Sequence, residues 1–483
     1  MLDRHITRHS HLQYVSTRGS APVLAFDEVV LTGLARDGGL YVPETWPQLS
    51  ADQLRSLRRL TYPELAARIL ALFAEPEIPE AELALLAEEA YIDFDGYPDP
   101  APLKPIGGNL HLLELFHGPT LAFKDYALQL LGRLFDLVLA RRGERVTIIG
   151  ATSGDTGSAA IDACRDRDTL EIFMLHPNGR VSEVQRRQMT TVKADNVHNI
   201  AVDGTFDDCQ ALVKTVFNDE PFRDRFRLAA VNSINWARIA TQIVYYVHAA
   251  LALGAPEREV AFVVPTGNFG NVFAAYAARR MGVPIRRLAI ASNRNDILTR
   301  FFATGTMRTG PVFATLSPSM DIQVSSNFER YLFELYDRDA AAVRSAMQQL
   351  RDTGAFSVDP ARVAQASAMF LARSADDDAT RAAIRSVHEE HGMLIDPHTA
   401  VGVAAARELA AELGDDVPVV CVATAHPAKF PDAIAAATGI RPDLPERLAD
   451  LLVRPEHCQS MANDADALRD TIARTMHTRG AKP

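Results

Sequence analysis

A lysine set among apolar neighbours is the side chain of this sequence best suited by type to covalent chemistry. It stands at position 124 in His117-Gly-Pro-Thr-Leu-Ala-Phe-Lys-Asp125, and it has few rivals, because only six of the 50 basic residues are lysines. Leu121, Ala122, Phe123 and Tyr126 flank Lys124, so partial desolvation is expected, which lowers the pKa of the amine and frees its lone pair. Schiff-base chemistry with a carbonyl cofactor needs such an amine. The same stretch also suits a helix-start lysine whose stem snorkels along apolar surface while its head meets water or Asp125.

Three turns could receive an anion. Gly150-Ala-Thr-Ser-Gly-Asp-Thr-Gly157 leads from an apolar strand into a helix; its glycines let backbone N–H groups turn inward, and Thr152, Ser153 and Thr156 add hydroxyls. An ordinary capped turn is the alternative, and no Gly-Lys-Ser/Thr follows that would make it a nucleotide P-loop. The second turn, Thr266-Gly-Asn-Phe-Gly270, has the same layout, and the amides of Gly267, Asn268, Phe269, Gly270 and Asn271 at a helix start would hold a dianionic phosphate. The third, Val231 to Arg238, opens a helix that continues to about Leu253. Asn232, Ser233 and Asn235 fall at its capping end, and Arg238 lies about one turn inside, where a guanidinium could fork a phosphate or merely face solvent. Two phosphate-type sites beside one activated lysine suggest a phosphorylated cofactor and a phosphorylated substrate.

The elements that must position these residues are legible from periodicity. Apolar strand candidates at 110–116, 145–150, 170–175, 197–202, 259–264, 285–291 and 417–423 are separated by helix-length segments, which implies a largely parallel sheet covered on both faces. Such sheets bind ligands where strand C-termini meet helix N-termini. Ahead of them, short strands and turns over 14–47 precede helices at 62–74 and 80–90, with a boundary near residue 98, and the last forty residues suggest amphipathic helices ending in a disordered tip at 480–483. Composition narrows the function classes. With 483 residues, 47% hydrophobic and a net charge of -11 spread along the chain, this is a soluble protein with large cores and no basic track for nucleic acid. Cys164, Cys209, Cys421 and Cys458 form no paired motif, which argues against a disulfide framework and a metal site and for a reducing cytoplasm. No membrane segment or signal core is seen.

Together these stretches resemble the threonine synthase family, its longer class in particular, among pyridoxal-phosphate enzymes of the tryptophan-synthase-β fold type. The carrying segments are YVSTRG at 14, GLARDGGLYVPE at 33, FHGPTLAFKDYAL at 116, GATSGDTGSAAI at 150, NGRVSEVQRRQM at 178, VNSINWARIATQIVYY at 231, VPTGNFGN at 264, LSPSMDIQVSSNFERYLFE at 316 and ATAHPAKFPDA at 423. The lysine motif and the two glycine turns belong to the whole fold type; the 231 and 316 segments and the N-terminal unit point to threonine synthases. The resemblance implies an α/β protein with two open parallel-sheet domains and an N-terminal extension. It divides the chain into 1–97, a large cofactor domain from 98–144 and 255–443, a small domain over 145–254, and a tail over 444–483. It implies pyridoxal 5'-phosphate carried on Lys124, its phosphate on Gly267 to Asn271, and its ring nitrogen facing the Thr424 hydroxyl, which, unlike a carboxylate, would not keep that nitrogen protonated. Thr152, Ser153, Thr156, Asn232, Ser233 and Arg238 are the implied substrate contacts. One departure stands out: relatives often carry asparagine where this chain has Asp155, and an ionised carboxylate there would repel the cofactor's phenolic oxygen.

The implied reaction is carbon-oxygen lysis of O-phospho-L-homoserine, with water, to L-threonine and phosphate, the last step of threonine biosynthesis; a serine or threonine dehydratase of the same fold type is the alternative. Lys124 would also move the α-proton, and His117, His426 or the departing phosphate would activate the water. The expected assembly is a monomer or a homodimer.

Overall fold

The computed structural model describes residues 11–230 and 233–480. Most of its strands from residue 103 onward sort into two separate sheets. The larger runs, edge to edge, β13 (Phe370–Ser374), β10 (Ile285–Ser292), β9 (Val260–Pro265), β14 (Val419–Ala423), β4 (Leu110–Glu114) and β3 (Leu103–Pro105), all parallel except β3, which is antiparallel to β4. The smaller runs β15 (Gln459–Ala462), β7 (Val197–Asp203), β6 (Leu170–Pro177), β5 (Val146–Ala151) and β8 (Leu228–Ala229), and is parallel throughout. Two antiparallel ribbons stand apart: β1 (Tyr14–Ser16) with β2 (Tyr41–Pro43), and β11 (Thr306–Arg308) with β12 (Ala355–Ser357). Every residue of β6, β9 and β14 is buried. Their near-continuous apolar sequences therefore follow from helices covering both faces, as parallel crossovers require.

All seven strands expected from periodicity are present to within a residue or two at either end, and the architecture is the expected pair of open α/β units with an N-terminal extension. Several elements differ from expectation. A short helix, Phe26–Leu31, lies between the two N-terminal strands, with Phe26, Val29 and Val30 buried. The C-terminal forty residues are not only helical: Gln459–Ala462 adds β15 to the small sheet, and the helix Ala465–Gly480 packs on the same unit; residues 481–483 of the expected tip lie outside the described residues. Only Met461 of that strand is buried, so it joins by backbone bonds and leaves no alternation to read. Finally, helix Trp236–Ala252, grouped by sequence with the small unit, packs against the helices Lys124–Arg142, Gly270–Arg280 and Tyr62–Ala74. Nearly all of it is buried, the polar Arg238, Thr241 and Gln242 along with the apolar residues. Strand β13 was not anticipated, because it follows the helix Pro360–Met369 without an intervening turn residue.

The topology places the chemistry. Lys124 begins the helix after β4, Asp155 the helix after β5, Gly270 the helix after β9, and Thr424 follows β14, so all four sit at strand C-termini. Among the described residues no helix is long and apolar enough to cross a membrane. The helices that carry Lys124 and Asp155 touch at Gly132, where an added Cβ would be built into the Ala163 carbonyl oxygen. Gly132→Ala should therefore lower the unfolding free energy by about 1–3 kcal/mol, read as an earlier urea midpoint. An unchanged midpoint would mean that the two helices part without cost.

Candidate active site

The loop before Lys124 is folded by its own polar groups. Asp125 accepts from the Thr120 backbone N–H at 2.9 Å and from the Thr120 hydroxyl at 2.5 Å, and Leu121 takes the left-handed conformation, φ 63°, that the tight bend demands. Asp125 is thus engaged with Thr120 and is not the partner of the Lys124 head. Burial pushes its carboxyl up to about 6, against the Thr120 bonds and the charge of Lys429. The loop is laced to the end of β14: Phe123 N–H donates to the Thr424 carbonyl at 2.9 Å, His426 N–H to the Leu121 carbonyl at 3.0 Å, and Ala122 bridges Ala425. That lacing brings Lys124 to Thr424, which is buried.

Lys124 is 8% exposed, and its Nζ lies 3.4 Å from Asp155 Oδ2. Burial lowers the pKa of the amine; Asp155 opposes this, and Arg238 and Lys429 add to it. Asp155, at the first position of the helix Asp155–Cys164, is also held by Lys429 Nζ at 2.9 Å and Gln185 Nε2 at 2.7 Å on Oδ1, and by the Ser319 hydroxyl at 3.1 Å on Oδ2. Burial alone would raise its pKa, but Lys429, Lys124, His398 and the Gln185 bond outweigh that and hold the carboxyl well below the usual range. Asp155 is therefore ionised, and its charge is matched. Gly154 makes room for this arrangement: its φ of 144° suits glycine, and a Cβ there would meet the Gln185 amide at 2.5 Å.

The other predicted residues fall as follows. Thr152 is buried with its hydroxyl accepting from Gly154 N at 3.0 Å and Gly157 N at 2.9 Å, so it shapes the turn from within; Ser153 is exposed and Thr156 half-buried beside it. In the second turn Gly267 and Asn268 are half-buried, and Phe269 is left-handed, φ 63°, before the helix that Gly270 opens. Asn271 Oδ1 accepts from the Tyr245 and Tyr246 hydroxyls, both at 2.6 Å, which leaves its buried Nδ2 without an acceptor. Asn235 caps the helix that carries Arg238, accepting from Ala237 N at 2.9 Å. Arg238 itself is 4% exposed; its Nη1 has no partner among the described residues, and burial lowers its pKa to about 10. Ser233 is half-buried, and Asn232 lies outside the described residues.

One segment gathers the three turns. Ser319 meets Asp155, and its backbone, with that of Met320, lies 3.3 Å from where a Gly267 Cβ would be. Ser325 donates to the Gly267 carbonyl at 2.7 Å, and Asn327 donates from its backbone to the Asn268 carbonyl at 3.0 Å and from its side chain to the Ser233 carbonyl at 2.9 Å. Lys429, Gln185, Ser319 and His398 were not singled out from sequence. Lys429 alone left a signal there, as one of six lysines, flanked by Ala428 and Phe430.

Of the histidines considered for proton work, His117 pairs with Glu114 at 3.0 Å, and His426 caps its own turn, Nδ1 accepting from Ala428 N at 3.1 Å. The histidine that acts electrostatically on Asp155 is His398, whose Nδ1 meets Asp396 at 2.8 Å while its Nε2 accepts from Ser319 N at 3.2 Å.

The residues fit a carbonyl cofactor that carries a phosphate. A dry amine not locked by a short bond, an orphaned Asn271 Nδ2 at a helix start, and a glycine turn with no room for side chains supply its two ends. The buried Arg238 Nη1, without a partner among the described residues, suits a second anion, since a buried charge left unpaired is costly.

Comparison with known proteins agrees. Residues 13–91 match the family model for the threonine synthase N terminus, 100–425 that for pyridoxal-phosphate dependent enzymes, and 399–472 that for the threonine synthase C-terminal region. The chain is 52% identical to threonine synthase of Pseudomonas aeruginosa, across 98% of this chain and all of that one, and 43% identical to that of Saccharomyces cerevisiae, across 87% and 88%. A pyridoxal-phosphate-bound threonine synthase structure from Brucella melitensis superposes with TM-score 0.94 at 52% identity, covering 96% of this chain and 99% of that one; the yeast enzyme gives 0.93 at 39%, covering 97% and 100%.

His426 makes the fold sensitive to acid. Burial, helped by His117 and Arg447, lowers its pKa from 6.5 to about 4. Between those values the unfolded chain binds a proton that the folded chain refuses, so stability present above pH 6.5 is lost as pH falls toward 4. Between pH 7 and pH 4.5 the native chain should lose roughly 2–3 kcal/mol more unfolding free energy than His426→Asn, which can keep the cap. Equal losses in denaturant titrations would assign the acid sensitivity elsewhere.

Proposed function

From the premise that this chain belongs to the threonine synthase family, we propose that it converts O-phospho-L-homoserine and water to L-threonine and phosphate, as a pyridoxal-phosphate-dependent carbon-oxygen lyase. The observation that carries this reading is Arg238: a buried guanidinium with no counter-ion among the described residues, near enough to Lys124 to act on its charge. A dehydratase acting on unphosphorylated serine or threonine has no use for such a group. Arg238, with Asn232 and Ser233, receives the substrate phosphate and bears the charge that grows on it as its bond to carbon breaks. Thr152, Ser153 and Thr156 form the turn that receives the substrate carboxylate, Thr152 by shaping the backbone N–H groups.

Pyridoxal phosphate, when bound, supplies the carbonyl that the Lys124 amine takes up and the electron sink that makes protons beside the substrate amine removable. Gly267, Asn268, Phe269, Gly270 and Asn271 hold its phosphate, with Asn271 Nδ2 as the free donor, and Thr424 faces its ring nitrogen. Lys124, when not bonded to the cofactor, would move the α-proton; burial lowers its pKa, which favours the uncharged amine. Asp155 stays next to Lys124 as an acceptor whose charge is already matched. A cytoplasmic setting is supported by the four free cysteines.

Phosphate release from O-phospho-L-homoserine, with threonine as co-product, is the expected activity; 2-oxoacid release from serine or threonine in its place would favour the dehydratase. Lys124→Ala should abolish turnover while leaving the fold intact, and full activity in that variant would refute the assignment. Arg238→Ala should raise KM and lower kcat/KM by an amount equivalent to roughly 2–5 kcal/mol. Unchanged constants would remove Arg238 from the site.

A further inference from the structure

Two lysines meet one carboxylate where water does not reach, and they meet it differently. Lys429 is fully buried and donates at 2.9 Å to Asp155 Oδ1 and at 2.6 Å to the Thr120 carbonyl oxygen. Lys124 stands off at 3.4 Å from the other carboxylate oxygen. Two short bonds, to a carbonyl and a carboxylate, tie Lys429 in place. The Lys124 amine is under no such restraint. With Gln185 at 2.7 Å and Ser319 at 3.1 Å, Asp155 keeps three donors, one of them on Oδ2, even when Lys124 is engaged elsewhere.

We propose that Lys429 is a positioning residue: it holds Asp155 as a charge-matched acceptor, so that the neighbouring Lys124 amine is not captured in an ion pair and stays available to react. This rests on reading Lys124 as the cofactor-bearing amine. It also accounts for an aspartate where an uncompensated carboxylate would repel the cofactor's phenolic oxygen.

The charged and titratable groups facing this cluster come from two further helices and from the Lys124 helix itself. Arg238, on the helix Trp236–Ala252, and Lys429 act on Lys124 in the same direction, each disfavouring its ammonium, while Asp155 favours it. His398, held by Asp396 at the start of the helix Pro397–Leu413, acts on Asp155 from the other side. Asp125, next to Lys124, is occupied by Thr120. With Lys429 gone, Lys124 would be the one ammonium left on an unshared carboxylate, and its protonated form would gain.

The test measures the Lys124 amine in the full-length chain freed of cofactor, by trace labelling with acetic anhydride across pH and mapping of the labelled peptide. Lys429→Met should raise the midpoint for Lys124 labelling by on the order of one pH unit. Lys429→Arg should leave it close to the native value. Asp155→Asn combined with Lys429→Met should abolish the rise, because the carboxylate that captures Lys124 is no longer there. An unmoved midpoint in Lys429→Met, or the same rise in the double variant, would overturn the proposal.

Thermal unfolding supplies a second reading if the single variant folds poorly. Lys429→Met should lower Tm in the native background and leave it equal or higher in the Asp155→Asn background, where the ammonium has lost its counter-charge. A double variant that is destabilised as much as the single one would overturn the pairing. Labelling shifts as described in a chain that forms no threonine would keep the pairing and remove the enzymatic reading; absent shifts with threonine formation intact would remove the pairing alone.

Discussion

A carboxylate taken out of water and set between two lysines constrains everything built around it. Burial by itself would drive Asp155 to take up a proton, yet two lysines, a glutamine amide and a serine hydroxyl converge on its two oxygens and hold it ionised. Its place at the first turn of a helix adds the favourable end of the helix dipole. The group cannot be moved without orphaning several others. That is why the loop at 117–124, the turn at 150–157, the helix at 183–190 and the 3-10 turn after β14 must be assembled together.

The segment from 317 to 330 serves as the brace between sites. It touches Asp155 through Ser319, the second glycine turn through Ser325 and Asn327, and the start of the Arg238 helix again through Asn327. Behind it sits Arg330, fully buried, donating to the carbonyls of Tyr41 at 3.0 Å and Ile234 at 2.5 Å and to the Asn327 side chain. Burial lowers its pKa to about 9, yet with carbonyl partners and the Trp236 ring nearby it remains a cation. The N-terminal unit thereby gains a mechanical role. Its Tyr41 carbonyl receives Arg330, its Val30 carbonyl receives the Asn235 amide at 2.7 Å, and Arg18 and Thr17 both bind Glu329. Residues far from the chemistry in sequence thus hold the helix start on which Arg238 depends.

On the proposed reading, charge is distributed unevenly between the place for the cofactor phosphate and the place for the substrate phosphate. The glycine turn offers backbone groups and one amide donor, which suits a phosphate that stays in place. Arg238 offers a full positive charge in a dry setting, which suits a phosphate that must depart carrying more charge than it brought.

Read by itself, the sequence determined whatever is written in short range. The reactive lysine announces itself by scarcity and apolar neighbours, the anion turns by glycines between a strand and a helix, and the covered sheets by apolar runs with no alternation. Each is a property of some ten consecutive residues. The C-terminal edge strand and β13 escaped because one adds only backbone bonds and the other has no punctuation before it. The partners of Asp155 escaped for a different reason: residues 124, 185, 319, 398 and 429 are brought to one carboxylate only when two sheets and their connecting helices pack. Sequence left Asp155 as an anomaly and offered Asp125 as the possible mate of Lys124. The tertiary structure reversed both, turning Asp125 back onto Thr120 and bringing Lys429 to Asp155, because the balance between burial and countercharge is set by distances in space, which no local pattern of residues encodes.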